Sequence, residues 1–177
     1  MPSGWRAGSG SVRPLPKYDG LTVGGMTENP GELVEQAVER SLKLVVTWPA
    51  WDGEPLTSDD GRTYTPHKAV RRIADHIIDH LAEVEALLAG VPTQPDEWHA
   101  SALTSAADLA PFSEEDVREA EQRLRRLGRT FVLRYAAVDP AEWDKDRSPN
   151  WTLRQIAEHL TELDWYADQV GNLSQPN

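Results

Sequence analysis

Thr65-Pro66-His67-Lys68-Ala69-Val70-Arg71-Arg72-Ile73-Ala74-Asp75-His76-Ile77-Ile78-Asp79-His80-Leu81 is the stretch whose reading decides the fold. A threonine directly before a proline marks a helix start: Thr caps, and Pro occupies N1, where its missing N–H is harmless. From there Val70, Ile73, Ala74, Ile77, Leu81, Val84, Leu87 and Leu88 recur three and four residues apart, up to Gly90 ahead of Pro92. That period is an amphipathic helix with a glycine stop. Three more segments repeat the pattern. Asn29-Pro30-Gly31-Glu32 opens one that carries Leu33, Val34, Ala37, Val38, Leu42, Val45 and Val46 towards Trp48. Ser113-Glu114-Glu115-Asp116 opens another with Val117, Ala120, Leu124, Leu127, Phe131 and Tyr135. Ser148-Pro149 opens the last, with Leu153, Ile156, Ala157, Leu160, Leu163, Ala167 and Val170 before Gly171. No segment alternates with period two, so the expectation is an all-α chain, best accommodated as a four-helix bundle. Its connections, Trp48 to Tyr64 and Val91 to Phe112, are longer than minimal turns, and loops of this size often line a site.

At 177 residues the chain has the length of one domain. Residues 1–28 read as an extended arm rich in Gly, Ser and Pro, residues 29–172 as the bundle and 173–177 as a tail. The balance of 18 Lys+Arg against 29 Asp+Glu, net −11, argues against nucleic acid as a partner. No apolar run has the roughly 18 to 20 residues of a membrane span, and no apolar core follows Arg6 and Arg13 as a secretory signal would need. These features set the expectation of a cytoplasmic protein. With no Cys, disulfides, thiolate metal sites and a cysteine nucleophile are excluded. Chemistry has to come from His, carboxylates and hydroxyls.

An internal repeat singles out where. Offset by 83 positions, Pro66 to Ile77 lies over Pro149 to Leu160, with Pro, Arg, Ile, Ala and His coincident and Val/Leu, Asp/Glu and Ile/Leu conservative. Upstream, Trp48-Pro49-Ala50-Trp51-Asp52 resembles Asp139-Pro140-Ala141-Glu142-Trp143-Asp144. The chain therefore reads as two helix pairs in which His76 matches His159. On a projection with Ile73 at 0°, His80 falls at about 340° within the apolar stripe and His76 at about 300° on its edge. His159 takes the same edge position relative to Ile156.

Three imidazoles bordering two inner faces suggest a metal site. His76 and His80, at i and i+4, can reach one ion from adjacent turns, and His159 could supply a third nitrogen. Three neutral imidazoles and a water suit Zn²⁺, Ni²⁺ or Mn²⁺ and disfavour Mg²⁺ and Ca²⁺. The same rings could equally hydrogen-bond into a core or face water. Glu83 and Glu162 flank the cluster as candidate general bases or acceptors of an imidazole N–H; ordinary solvated carboxylates would look the same. Tyr166 is a candidate to cap the pocket and donate to a bound anion, or simply to pack. His67, in the first turn of its helix, and His99, beside Trp98, are left outside the site. The six arginines from Arg118 to Arg134 could bind an anionic cofactor or nucleic acid, but they interleave with glutamates and ordinary helix pairing explains most of them. Trp51, Trp143 and Trp151 are expected to plug bundle ends, and Trp165 to point outward as a dimer contact.

The segment Trp143-Asp144 through Ser148-Pro149-Asn150-Trp151-Thr152-Leu153-Arg154-Gln155-Ile156-Ala157-Glu158-His159-Leu160 resembles the W-(S/T)-x-x-(E/Q)-I-x-x-H-L signature of the DinB-like superfamily. That superfamily includes YfiT-like proteins and mycothiol-dependent maleylpyruvate isomerases. Extended over residues 30 to 172, the resemblance implies a bundle of two helix pairs holding a divalent metal on three side chains from helices 2 and 4. It also implies metal-dependent hydrolysis, or isomerisation or transfer using a low-molecular-weight thiol, on a small-molecule substrate, in a homodimer. This chain departs from the signature in one respect. The family's usual His-x-x-x-His pair lies on helix 4, whereas here the pair His76/His80 is on helix 2, and Leu163 follows His159 by four. Two functions are thus expected from the sequence: a metal-dependent enzyme, or a non-catalytic dimeric ligand-binding protein that kept the fold alone.

Overall fold

Thr65 Oγ1 accepts from the Lys68 N–H, so the cap read from the sequence opens α2 (Pro66–Ala89), and Gly90, at φ 69°, closes it in the left-handed region. The computed structural model describes residues 28–58, 61–94 and 103–174, so all of the expected arm except Glu28 lies outside the described residues. The other helices are α1 (Gly31–Val45), α3 (Glu114–Ala136), α4 (Leu153–His159) and α5 (Asp164–Asp168). Short 3₁₀ turns stand at Trp48–Ala50, Ala106–Leu109, Pro140–Glu142 and Leu160–Leu163. The chain is predominantly helical, as expected. Among the described residues no helix is long and apolar enough to cross a membrane. The first connection carries something the sequence did not signal, a two-stranded antiparallel ribbon pairing Leu56 with Tyr64 and Thr57 with Thr63. Strands of two residues are too short for alternation to register.

α1 lies centrally, packed along α3 and against the 160–163 turn and α5, while α2 packs on α3 and α5. Ile73, Ile77, Leu124, Phe131, Leu153, Ile156, Leu160 and Leu163 are fully buried between them. The α1–α3 approach depends on glycine. A Cβ on Gly31 would stand 2.7 Å from the Phe131 carbonyl oxygen, and one on Gly128 3.3 Å from Glu35 Cα. Asn29 fastens this joint: its Oδ1 accepts from Gly31 N–H at 2.9 Å and its Nδ2 donates to the Val132 carbonyl at 3.0 Å. Gly31→Ala is therefore expected to destabilise the fold by about 1 to 3 kcal/mol through overpacking, although alanine is the better helix former. Thermal denaturation checks this; an unchanged midpoint would mean that the two backbones are not in contact there.

The last helical segment is not the single helix expected from Ser148-Pro149. Helix α4 starts at Thr152, which forms a reciprocal capping box with Gln155. Two orphan N–H groups satisfied at once favour that start over a Ser-Pro one. Ser148 instead turns back to Asp146 Oδ1, ahead of a cis bond to Pro149. The helix then tightens to 3₁₀ directly after His159. Two side chains take carbonyls that a continuous helix would use: Thr161 Oγ1 donates to the Glu158 carbonyl at 2.7 Å, and Arg40 Nη2 donates to the Thr161 carbonyl at 2.7 Å. Hydroxyl bonding to the preceding turn competes with the backbone ladder in this way.

The tryptophans divide into two groups. Trp48 and Trp143 are buried plugs, donating to the carbonyls of Gly171 and Tyr135. Trp51 is only half-buried. Trp151 is 43% exposed and plugs nothing, which corrects the expectation for it. Trp165 is exposed with its ring edge-on to Tyr64. The long crossover is tied to α2 by buried polar groups. Arg71 donates twice to Asp108, Thr65 Oγ1 donates to the Asp108 carbonyl at 2.6 Å, and Lys68 Nζ donates to Thr63 O and Thr104 Oγ1. Burial pushes the Asp108 carboxyl up, but the hydrogen bonds from Arg71 and Ser105 outweigh it and hold the group below its usual value. Four of the α3 arginines meet acids: Arg118 with Glu115, Arg123 with Glu119 and Arg125 with Glu121 within the helix as the interleaved charges implied, and Arg125 with Glu39 and Arg134 with Glu85 on other helices.

Candidate metal centre

His76 and His80 stand one turn apart in the middle of α2, and His159 is the last residue of α4. Their rings form a triangle, with centroids 4.7 Å apart for His76 and His80 and 5.0 Å for each with His159. One nitrogen from each ring lies within 4.8 Å of the other two, so the cluster could hold a metal ion. His76 Nε2 and His159 Nε2 are 3.1 Å apart. Two nitrogens on one ion at the usual zinc–imidazole length stand about 3.0 to 3.4 Å apart for angles between 90° and tetrahedral. The pair is thus already at ligand spacing. All three rings are half-buried.

Glu83 braces His80. Its Oε2 sits 2.7 Å from His80 Nδ1. A carboxylate there favours the Nδ1–H tautomer and leaves Nε2 as the lone-pair nitrogen, the arrangement that orients metal-binding imidazoles. The surroundings of His159 favour its neutral form. Burial lowers its pKa, nearby His80 lowers it further, and Glu162 and Glu83 oppose them. Glu162 itself is exposed, so it reaches His159 through its charge.

A depressed imidazole pKa has a definite sign in stability. Below the unfolded value of 6.5 the unfolded chain takes up a proton that the folded His159 resists, so stability falls as the pH drops through that value. Above it both states are neutral and the contribution is flat. The midpoint of metal-free protein is expected to decrease between pH 7.5 and 5.5, and to decrease less in His159→Gln. Equal slopes in the two proteins would mean that His159 does not carry the effect.

Trp151 covers the cluster. Its ring lies 6.1 Å from that of His80, nearly parallel, and 5.0 Å from that of His159. Beside it opens a pocket of about 320 Å³ lined by Asp79, His80, Glu83, Gln94, Asn150 and Trp151, among others. On the opposite flank Tyr166 meets the His76 ring edge-on at 5.7 Å. Its hydroxyl accepts from Arg72 Nη2 at 3.2 Å rather than facing the pocket. His67 is remote from the cluster's chemistry, packed on Phe112 with Nε2 at 3.2 Å from the Pro111 carbonyl. His99 lies outside the described residues.

No family model, curated protein or solved structure matches the chain. The site is therefore defined by its own geometry. That geometry brings together His76, His80, His159, Glu83 and Tyr166 and sets Glu162 at the rim. Sequence reading gives Trp151 a different place, as a bundle-end plug, and does not single out Arg72. In the 83-residue offset Trp151 lies over Lys68 and Arg72 over Gln155, so the repeat carries no hint of their place beside the imidazoles.

Proposed function

We propose that the protein is a metal-dependent enzyme of the DinB-like kind, a four-helix bundle of two pseudo-repeated pairs with one divalent transition metal on His76, His80 and His159. The observation that carries this reading is the 3.1 Å approach of His76 Nε2 to His159 Nε2 from different helices, with His80 Nδ1 anchored on Glu83. Three nitrogens and no carboxylate ligand suit zinc or nickel better than manganese. Such an ion would supply Lewis acidity, the means by which water or a thiol becomes a nucleophile near neutral pH.

The chain's own groups take the remaining roles. Glu83 fixes the His80 tautomer and keeps that ring from turning. Trp151 shields the imidazoles on the side of the 320 Å³ pocket. Glu162, exposed beside His159, is the carboxylate free to accept a proton. A second reading, a binding protein without catalysis, draws support from Leu163, which is fully buried where the family pattern has a histidine. Elemental analysis of protein purified without a histidine tag distinguishes metal from none. About one equivalent of zinc, nickel or manganese per chain, lost on chelation and lost in His159→Ala, is expected. Metal-free preparations that also fail to take up zinc would sink the reading.

A further inference from the structure

Arg72 is one turn before His76 on α2 and on the same face. It is half-buried, and its guanidinium has no acidic partner among the described residues. Its one hydrogen bond is the one Nη2 donates to Tyr166 Oη, and the guanidinium carbon stands 5.1 Å from the centre of the same ring. The neighbouring Arg71 shows what the fold does with a structural arginine, since it grips Asp108 with two nitrogens. Asp75, three residues on from Arg72, makes no ion pair with it. Cations gather around Arg72: it acts on Lys68 together with Arg71 and Arg62, opposed by Asp108, and on Tyr64 together with Arg62. In a chain of net charge −11 that local excess of cations is out of character.

The donors of the pair are largely unused. A guanidinium has five N–H groups, of which one is engaged here. Tyr166 accepts from Arg72, so its own proton is free to be donated, and a cationic donor on the phenol oxygen makes that proton a stronger donor. A planar fork next to a hydroxyl matches the two oxygens of a carboxylate, and the fork is what distinguishes arginine from lysine in such sites. Tyr166 also touches His76, so an anion held here lies about one helical turn from the imidazole cluster.

We infer that Arg72 and Tyr166 form a carboxylate subsite beside the three imidazoles, so that the small-molecule substrate is an organic acid whose carboxylate binds this pair while its reactive group faces the metal. The inference rests on the metal-centre reading for the reaction, but the subsite can be tested alone. Succinate is titrated by calorimetry at fixed ionic strength into protein stripped of metal and desalted, and inorganic phosphate is titrated in parallel. Saturable succinate binding is expected, weakened about tenfold or more by Arg72→Gln and less by Arg72→Lys, which keeps the charge and loses the fork. Tyr166→Phe keeps the ring under the guanidinium and is expected to weaken binding about fivefold, which guards against a misfolded arginine variant. Arg118→Gln, at an exposed helix pair, is expected to bind as the parent does. No saturable succinate binding, or equal affinity in parent and Arg72→Gln, overturns the subsite, and phosphate bound more tightly than succinate overturns its assignment to carboxylates. Zinc uptake, measured on portions of the same preparations given zinc back, separates the two ideas. Zinc bound with succinate affinity indifferent to Arg72 removes the subsite alone; Arg72-dependent succinate binding in a protein unable to hold zinc removes the metal centre alone.

Discussion

Zinc added to chelator-treated protein at a hundredfold excess over its dissociation constant is expected to raise the thermal midpoint by roughly 5 to 10 °C. The free energy behind that shift is about 2.7 kcal/mol, the mass-action stabilisation of a folded state that binds a ligand the unfolded chain does not. For a chain of this size each kcal/mol moves the midpoint by about 2 to 4 °C. His159→Ala is expected to abolish most of the shift, because in the proposed centre His159 alone joins α4 to the two imidazoles on α2. Glu83→Gln should reduce it: an amide at 2.7 Å from His80 Nδ1 no longer holds the ring in one tautomer, and such outer partners are typically worth about 10- to 100-fold in metal affinity. His67→Ala, which removes a ring packed on Phe112, should leave the zinc increment equal to that of the parent even where it changes the starting midpoint. The shift should also shrink as the pH falls through about 6.5, since protons compete for the same nitrogens. A midpoint indifferent to zinc in the parent protein would refute the centre.

Leu163→His is expected to lower the midpoint by roughly 5 to 15 °C and to leave the zinc increment no larger. In a continuous α-helix the fourth residue after His159 would stand about 40° around the axis from it. Through the 3₁₀ turn at Leu160–Leu163 it stands closer to about 120° around, turned away from the imidazoles. Leu163 is fully buried there, against the core that α1 also contributes to. An imidazole at that position loses aliphatic packing and buries polar nitrogens without partners, a cost of about 2 to 4 kcal/mol. Differential scanning calorimetry with and without zinc reads both parts. A variant as stable as the parent that bound zinc more tightly would mean that position 163 faces the cluster, and the 3₁₀ turn would then be wrong.

The cluster was legible before the fold because its geometry is mostly local. His76 and His80 are neighbours by helical spacing alone, and the 83-residue offset drew His159 to the same edge of a second helix. Glu83 was legible for the same reason, three residues beyond His80. Helix starts with strong chemistry, Thr65-Pro66 and Ser113 with Asp116, were read to the residue. The start at Ser148 was misread because two candidate caps stand four residues apart, and the reciprocal Thr152–Gln155 bonds settle between them.

What the sequence by itself determined is everything that repeats within a turn or two of helix: the helical class, the apolar faces, the caps, and the placing of imidazoles on their edges. What only the tertiary structure decided depends on groups far apart in the chain. Arg40 drawing on the Thr161 carbonyl is one such contact, and it helps break α4 where periodicity ran on unbroken. Trp151 lying over His80 and His159 is another, and Arg72 meeting Tyr166 across 94 positions is a third. Side-chain period reports which face of a helix is apolar, but not which face of another helix comes to meet it, because that is set by how all the faces share one core.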